Sequence, residues 1–147
     1  MPRLLEAMTG APDFYYDSMS QVRMETWHAG PVALVGDAAY CASPASGQGT
    51  SLALVGAYVL AAGLKQAAGD HTVAFPAHEA SMRPFVEANQ ALGTANIKRM
   101  VLSSRSQVRM SMLMLRLVNP LSGKDRIMAK VVEPIHRAAT AIDLPTV

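Results

Sequence analysis

At 147 residues the chain fits one domain on the usual span of roughly 100–200, and with 50% hydrophobic against 16% charged residues it can bury a core, which excludes a disordered tail. A single cysteine excludes an internal disulfide framework and a four-cysteine zinc site. The net charge of +2 names no partner but is unevenly spread: residues 1–95 carry four Lys/Arg and eight Asp/Glu, a net of −4, and residues 96–147 carry nine and three, a net of +6.

The start, Met1-Pro2-Arg3-Leu4-Leu5-Glu6, turns polar at once and lacks the form of a secretory signal, so a cytoplasmic setting is expected. Phe14 to Trp27 mixes aromatic and apolar residues with polar ones and alternates cleanly over Val22-Arg23-Met24-Glu25, which predicts two short strands or a hairpin. His28-Ala29-Gly30-Pro31 predicts a turn, and Val32-Ala33-Leu34-Val35 a short strand buried on both faces. After a loop, a helix is expected from Gly47 or Gln48 to about Ala68, closed by Gly69. Asp70 is placed to cap a second helix from His71 to Leu92 or beyond, with a bend or restart at Pro76 or Pro84. Ser103 to Val118 predicts a third helix, ended by Asn119-Pro120. Ser122-Gly123-Lys124-Asp125 has the form of a capping box before a last helix, where Ile127, Val131, Ile135 and Ala138 make one apolar stripe.

No charge occurs from Ala38 to Leu64, longer than the roughly 20 residues that cross a bilayer. Cys41 to Gly49, with Pro44 and several small polar residues, is loop chemistry that would leave backbone groups unsatisfied in lipid, and Leu52 to Leu64 is too short to span. A membrane partner is therefore not expected. The fold class read from these elements is α/β, a few N-terminal strands followed by a mostly helical tail. A strand like Val32–Val35 needs neighbours on both edges and the chain offers few, so it reads as the tail of something larger.

The chemistry concentrates in Gly30-Pro31-Val32-Ala33-Leu34-Val35-Gly36-Asp37-Ala38-Ala39 and Ser43-Pro44-Ala45-Ser46-Gly47-Gln48-Gly49-Thr50. A strand delivers a carboxylate, Asp37, at its carboxyl end, where open α/β sheets hold ligands. Gly36 permits close approach to the backbone. Gly47 and Gly49 leave the first amides of the next helix uncovered, where its dipole favours negative charge. Taken alone, a Gly-Asp pair reads more readily as a turn with a capping Asp. Gly47-Gln48-Gly49-Thr50-Ser51-Leu52 fails as a GxGxxG fingerprint, because Leu52 replaces the third glycine and no second strand intervenes before Asp70.

Taken together, the stretch resembles the second FAD-binding motif of flavin-dependent aromatic hydroxylases, the family around p-hydroxybenzoate hydroxylase, and within it the tetracycline-inactivating monooxygenases. Upstream, Tyr16-Asp17 and Gln21-Val22-Arg23-Met24 before Trp27 are similar to the strand pair preceding that motif. Downstream, Ser51 to Ala61 resembles the motif helix, and Ala74, Glu79, Arg83 and Pro84 resemble the helix after it, with His78 in place of a tyrosine. Roughly residues 10–90 carry the likeness.

The resemblance implies a C-terminal fragment of an FAD/NAD(P)-binding Rossmann-like domain, with residues 1–95 in the flavin domain and 96–147 a helical extension. It implies FAD as cofactor and NAD(P)H as co-substrate, with oxygen used to hydroxylate a small aromatic or polyketide-like substrate. Asp37 would accept hydrogen bonds from the ribityl hydroxyls, with Gly36 allowing the approach. The amides around Gly49, Thr50 and Ser51, at the helix start opened by Gly47, would face the pyrimidine end of the isoalloxazine, and Pro44 would lie beside the ring. The segments a complete enzyme needs for the pyrophosphate, the adenosine ribose and the substrate do not occur in these 147 residues. A fragment or split subunit inactive alone is expected, whose partner is the missing N-terminal half or another copy. The alternative is a non-catalytic interaction or regulatory module.

Other residues take plainer readings. Cys41 has no evident base, and His28, His71, His78 and His136 lack metal-ligand spacing. Ser46 is outside a GxSxG elbow, which argues against a hydrolase. Lys98, Arg99, Arg105, Arg109 and Arg116 could form a nucleic-acid stripe, but no aromatic residue follows Phe85 to stack on bases, so no nucleic acid is expected. Met110, Met112 and Met114 with Leu113, Leu115 and Leu117 make a helix apolar nearly all round, which predicts burial against another domain or copy.

Overall fold

The computed structural model describes residues 2–118 and 124–146. Its elements in chain order are α1 (Pro2–Thr9), β1 (His28–Ala29), β2 (Val32–Ala33), α2 (Asp37–Tyr40), a 3-10 turn (Pro44–Ser46), α3 (Gly49–Gln66), α4 (His71–Met100), α5 (Arg105–Val118) and α6 (Lys124–Ala139). The described residues are thus mostly helical with one two-stranded hairpin.

The expected strands shrink to that hairpin. β1 and β2 pair antiparallel, His28 with Ala33 and Ala29 with Val32, around Gly30, whose φ of 53° suits glycine. Val32–Val35 is not a central strand: Val32 is 60% exposed, and the Leu34 amide returns to the Trp27 carbonyl at 2.8 Å. Phe14 to Glu25 forms no strand either. Its polar groups go elsewhere: the Val22 amide donates to Cys41 O at 3.0 Å, and Gln21 Nε2 donates to Ala42 O and Gln90 O. A ladder needs neighbouring strands, and the described residues supply none beyond the hairpin.

The helices follow the pattern more closely. Asp70 caps α4 as expected, Oδ1 accepting from the Thr72 amide at 2.9 Å. α4 runs to Met100 and continues through Pro76 and Pro84 without a restart. Thr72 and Ala80, whose carbonyls each proline leaves unpaired, are exposed, so water can take those bonds. α3 ends one turn earlier than Gly69: Ala68, at φ 52°, takes the left-handed position, its amide donating to Lys65 O, while the Gly69 amide donates to Leu64 O. α5 begins at Arg105 because Ser104 Oγ accepts from the Gln107 amide at 3.2 Å. The expected helix stop at Asn119-Pro120 and the Ser122 cap lie outside the described residues.

The core forms where α3 lies against α4. Tyr40, Leu52, Val59, Met82, Phe85 and Trp27 are all buried there. Gly56 of α3 makes room for the Tyr40 ring of α2, since a side-chain carbon built on it would overlap the Tyr40 hydroxyl and lie 3.1 Å from Cζ. Gly93 acts likewise on α4, where an added carbon would sit 2.5 Å from Ala42 O. The C-terminal segment is tied back to this core: Asn89 Nδ2 donates to Ala138 O at 3.0 Å, and Tyr58 donates to Pro145 O at 2.8 Å. Among the described residues no helix is long and apolar enough to cross a membrane.

Candidate functional site

After β2 the chain reaches Gly36, which is buried with φ 68° and ψ −143°. A side-chain carbon there would lie 3.5 Å from Ala53 Cβ, so what comes close to this glycine is α3 of the same chain. The Gly36 carbonyl accepts from the Ala39 and Tyr40 amides at 3.0 and 2.9 Å and so starts α2. Asp37 is the first residue of α2 and is exposed, while Tyr40, three residues on, is 1% exposed and packs at a tilt against Trp27, ring centres 4.6 Å apart. One turn of helix therefore anchors an inward ring and holds an outward carboxylate.

The loop to α3 is tightly bonded. Ser43 is buried at φ 74°, a conformation rare for a side-chain-bearing residue, and its carbonyl accepts from Ser46 Oγ at 2.8 Å. Pro44 opens the 3-10 turn and is exposed; Gly47 closes it at φ 67°, its amide donating to Pro44 O at 3.1 Å. Ser46 Oγ accepts from the Gln48 amide at 3.1 Å, and Asn96 of α4 holds the Ala45 carbonyl at 3.0 Å. At the start of α3, Gln48 supplies no side-chain cap, and the first helical bond runs from the Leu52 amide to Gln48 O. Among the described residues the amides of Gly49, Thr50 and Ser51 find no protein acceptor, and Thr50 and Ser51 are exposed.

These two features meet. A side-chain carbon built on Gly49 would lie 4.0 Å from Asp37 Oδ1, so the exposed carboxylate stands beside the open, positive end of α3. Together they present hydrogen-bond acceptors and donors side by side on an open face. Two open hollows lie elsewhere: about 110 Å³ lined by Arg23, Trp27, Tyr40, Arg83 and Gln90, and about 340 Å³ between α4 and α6.

A supporting cluster, whose Glu79–Arg83 spacing the sequence displayed without revealing its target, fixes the approach to the site. Glu79 accepts from the Trp27 amide at 2.9 Å and from Arg83, with His28 Nε2 at 3.8 Å. Arg83 also donates to the Glu25 carbonyl at 2.7 Å, and its guanidinium lies 4.7 Å from the centre of the Trp27 ring. Partial burial alone would raise the Glu79 carboxyl, but the Trp27 amide and Arg83 outweigh it and hold the group below its usual value. His78, in the tyrosine's place, is buried with Nε2 3.2 Å from Gly56 O; burial pushes its pKa down and keeps the ring neutral.

Comparison with known proteins shows which proteins this chain is similar to. Residues 15–74 match the FAD binding domain family. A flavin-dependent monooxygenase from an unknown prokaryotic organism is 57% identical over 91 residues, covering 62% of this chain and 23% of its own. One from Legionella longbeachae serogroup 1 (strain NSW150) is 53% identical over 90 residues, 61% of this chain and 23% of its own. The crystal structure of tetracycline destructase Tet(55) matches 99% of this chain and 35% of its own with a TM-score of 0.77 and 41% identity; that of Tet(51) matches the same shares at 0.70 and 38%. The chain spans about a quarter of the length of its curated relatives. FAD, the cofactor expected from the sequence, is the one the matching domain family binds.

Proposed function

We propose, from the match of residues 15–74 to the FAD binding domain family and the likeness to flavin-dependent monooxygenases, that this chain supplies one wall of the flavin site of such an oxidoreductase. The observation that carries the reading is the Asp37 carboxylate beside the uncapped start of α3, with a Gly49 side-chain position 4.0 Å from Oδ1. Asp37 accepts hydrogen bonds from the ribityl hydroxyls, and Gly36 holds the left-handed turn that aims it. The amides of Gly49, Thr50 and Ser51 donate to the pyrimidine end of the ring, where the helix dipole stabilises negative charge without reorganisation. Pro44 and Gly47 extend the contact surface along the intervening turn. When bound, the flavin supplies the redox and oxygen chemistry, with NAD(P)H as reductant and an aromatic or polyketide-like molecule as substrate; the residues here bind, orient and polarise it.

On this reading residues 1–95 are the C-terminal part of a Rossmann-like flavin domain, residues 96–147 are its helical extension, and the enzyme is cytoplasmic. The partner is the remainder of the fold, and this chain alone holds FAD weakly and catalyses nothing. The test is a chimera in which residues 1–147 replace the matched 35% of the Tet(55) chain. It should purify with bound flavin, and Asp37→Ala should weaken flavin retention roughly 10- to 100-fold, the worth of hydrogen bonds to a charged acceptor. Flavin content indifferent to Asp37→Ala would refute the reading and favour the non-catalytic interaction module, for which the exposed α5 speaks.

A further inference from the structure

Between α2 and α3 the backbone is strained. Ser43 holds φ 74° although it bears a side chain, and such a conformation persists only where its surroundings over-determine it. Here the surroundings are hydrogen bonds. The Ser43 carbonyl accepts from the Ser46 amide at 3.0 Å and from Ser46 Oγ at 2.8 Å, and the Pro44 carbonyl accepts from the Gly47 amide. Ser46 Oγ accepts in turn from the Gln48 amide, and the Gln48 carbonyl takes the first helical bond of α3. The Ala45 carbonyl is served from another element: Asn96 Nδ2 of α4 donates to it at 3.0 Å. Among the described residues that is the hydrogen bond tying the turn to α4. Ala45 and Ser46 are 8% and 4% exposed, so water is a poor substitute for the lost donor. Gly93, three residues before Asn96, keeps the two elements close, since a side-chain carbon there would lie 3.5 Å from Ser46 Cβ. Asn96 itself stands outside residues 15–74, the stretch that matches the FAD binding domain family.

We propose that Asn96 is a positioning residue for the flavin: by holding the Ala45 carbonyl it locks the turn from Ser43 to Gln48 and so aims the open amides of Gly49, Thr50 and Ser51. It acts through the turn and touches no flavin atom. The inference rests on the reading that those amides face the ring, and it adds what fixes their direction. The role calls for a donor rather than for volume. Asn96→Asp keeps the size but turns the donor into a charged acceptor facing a carbonyl oxygen, whereas Asn96→Ala removes the donor without adding repulsion.

Two measurements test it. In the isolated chain, amide hydrogen exchange at Gly47 and Gln48 should quicken at least ten-fold in Asn96→Asp and less in Asn96→Ala, while the α4 amides around Met82 keep their rates. In the Tet(55) chimera, FAD retention should fall about three- to ten-fold in Asn96→Ala, the worth of one neutral hydrogen bond, and further in Asn96→Asp. The midpoint potential of the bound flavin should move negative in the same order, because misdirected amides stabilise the reduced ring less. A lowered urea midpoint with FAD retention and potential unchanged overturns the proposal and leaves Asn96 a stabilising residue only. Unchanged exchange at Gly47 and Gln48 overturns it too, as does an Asn96→Asp variant no worse than Asn96→Ala. Asp37→Ala separates this proposal from the flavin reading. Flavin lost in Asp37→Ala but kept in Asn96→Asp sinks this proposal alone. Exchange quickened in Asn96→Asp, with flavin content indifferent to both substitutions, sinks the flavin reading and with it the role given to Asn96.

Discussion

Residues 27–96 and residues 100–118 are governed by different neighbours. In the first region each unusual residue answers to something inside the chain: Gly56 to Tyr40, Gly93 to the Ala42 carbonyl, Glu79 to the Trp27 amide, Asn89 to the Ala138 carbonyl. In the second, α5 carries long apolar side chains that meet solvent. The first region reads as a finished piece of packing and the second as half of an interface. Substitutions should therefore be costly in folding where the partner is internal, and nearly silent in the isolated chain where it is external.

The largest effect is expected at Gly56. Gly56→Ala puts a methyl group into the Tyr40 hydroxyl, and both α3 and Tyr40 are held by the core, so destabilisation of about 3 kcal/mol is expected in urea unfolding. Among the described residues the buried Tyr40 hydroxyl has no hydrogen-bond partner, so Tyr40→Phe alone should be neutral or stabilising. Combined with Gly56→Ala it removes the colliding atom and should recover about 1–2 kcal/mol, a coupling that only residues in direct contact show. The same pair of measurements on Leu113→Ala in α5 should move the urea midpoint of the isolated chain hardly at all. A cost at Leu113 equal to that at Gly56 would break the contrast between the regions.

A pH series sharpens it. Burial lowers the His78 pKa in the folded chain from its usual 6.5, with Gly56 O and Glu79 partly opposing and His28 reinforcing the shift. The unfolded chain then binds the proton more readily, so the stability this neutral ring contributes is whole above 6.5 and is lost as pH falls from there toward the lower folded value. The urea midpoint should decline over that window, and His78→Gln, which keeps a donor for Gly56 O, should flatten the decline. An undiminished slope in His78→Gln would mean that another group carries it.

What could be read from the sequence was what is written locally. The Asp70 cap and the helices are patterns within a few residues; the carboxylate expected at a strand end instead opens α2, four residues after β2 ends, and a side-chain carbon on Gly49 would lie 4.0 Å from it. The strands were misread because alternation over Val22–Glu25 states only that one face is apolar. Whether a ladder forms depends on a neighbour, and Gln21 and Gln90, 69 residues apart, take the backbone bonds instead. The Glu79–Arg83 pair was visible as an i,i+4 spacing, but its grip on residues 24–28 is set by tertiary packing. By propensity alone Gly56 weakens its helix, and its use shows only with the Tyr40 ring that needs the space.

The smallest effect separates backbone geometry from packing altogether. Gly69 follows α3 as a closing glycine should, yet the left-handed position belongs to Ala68 at φ 52°, one residue earlier, with Gly69 following at φ 88°. An alanine there bears a strain that glycine would not, against the extra entropy glycine brings to the unfolded chain. The amide bonds from Ala68 to Lys65 O at 3.2 Å and from Gly69 to Leu64 O at 2.8 Å stay available to either residue. Ala68 is exposed, so no packing is lost. Ala68→Gly should therefore stabilise the chain by about 0.5–1 kcal/mol in urea unfolding. A loss of stability would show that the chain relaxes this turn rather than holding the strained alanine, and that the end of α3 is less firmly set than the α3–α4 core it adjoins.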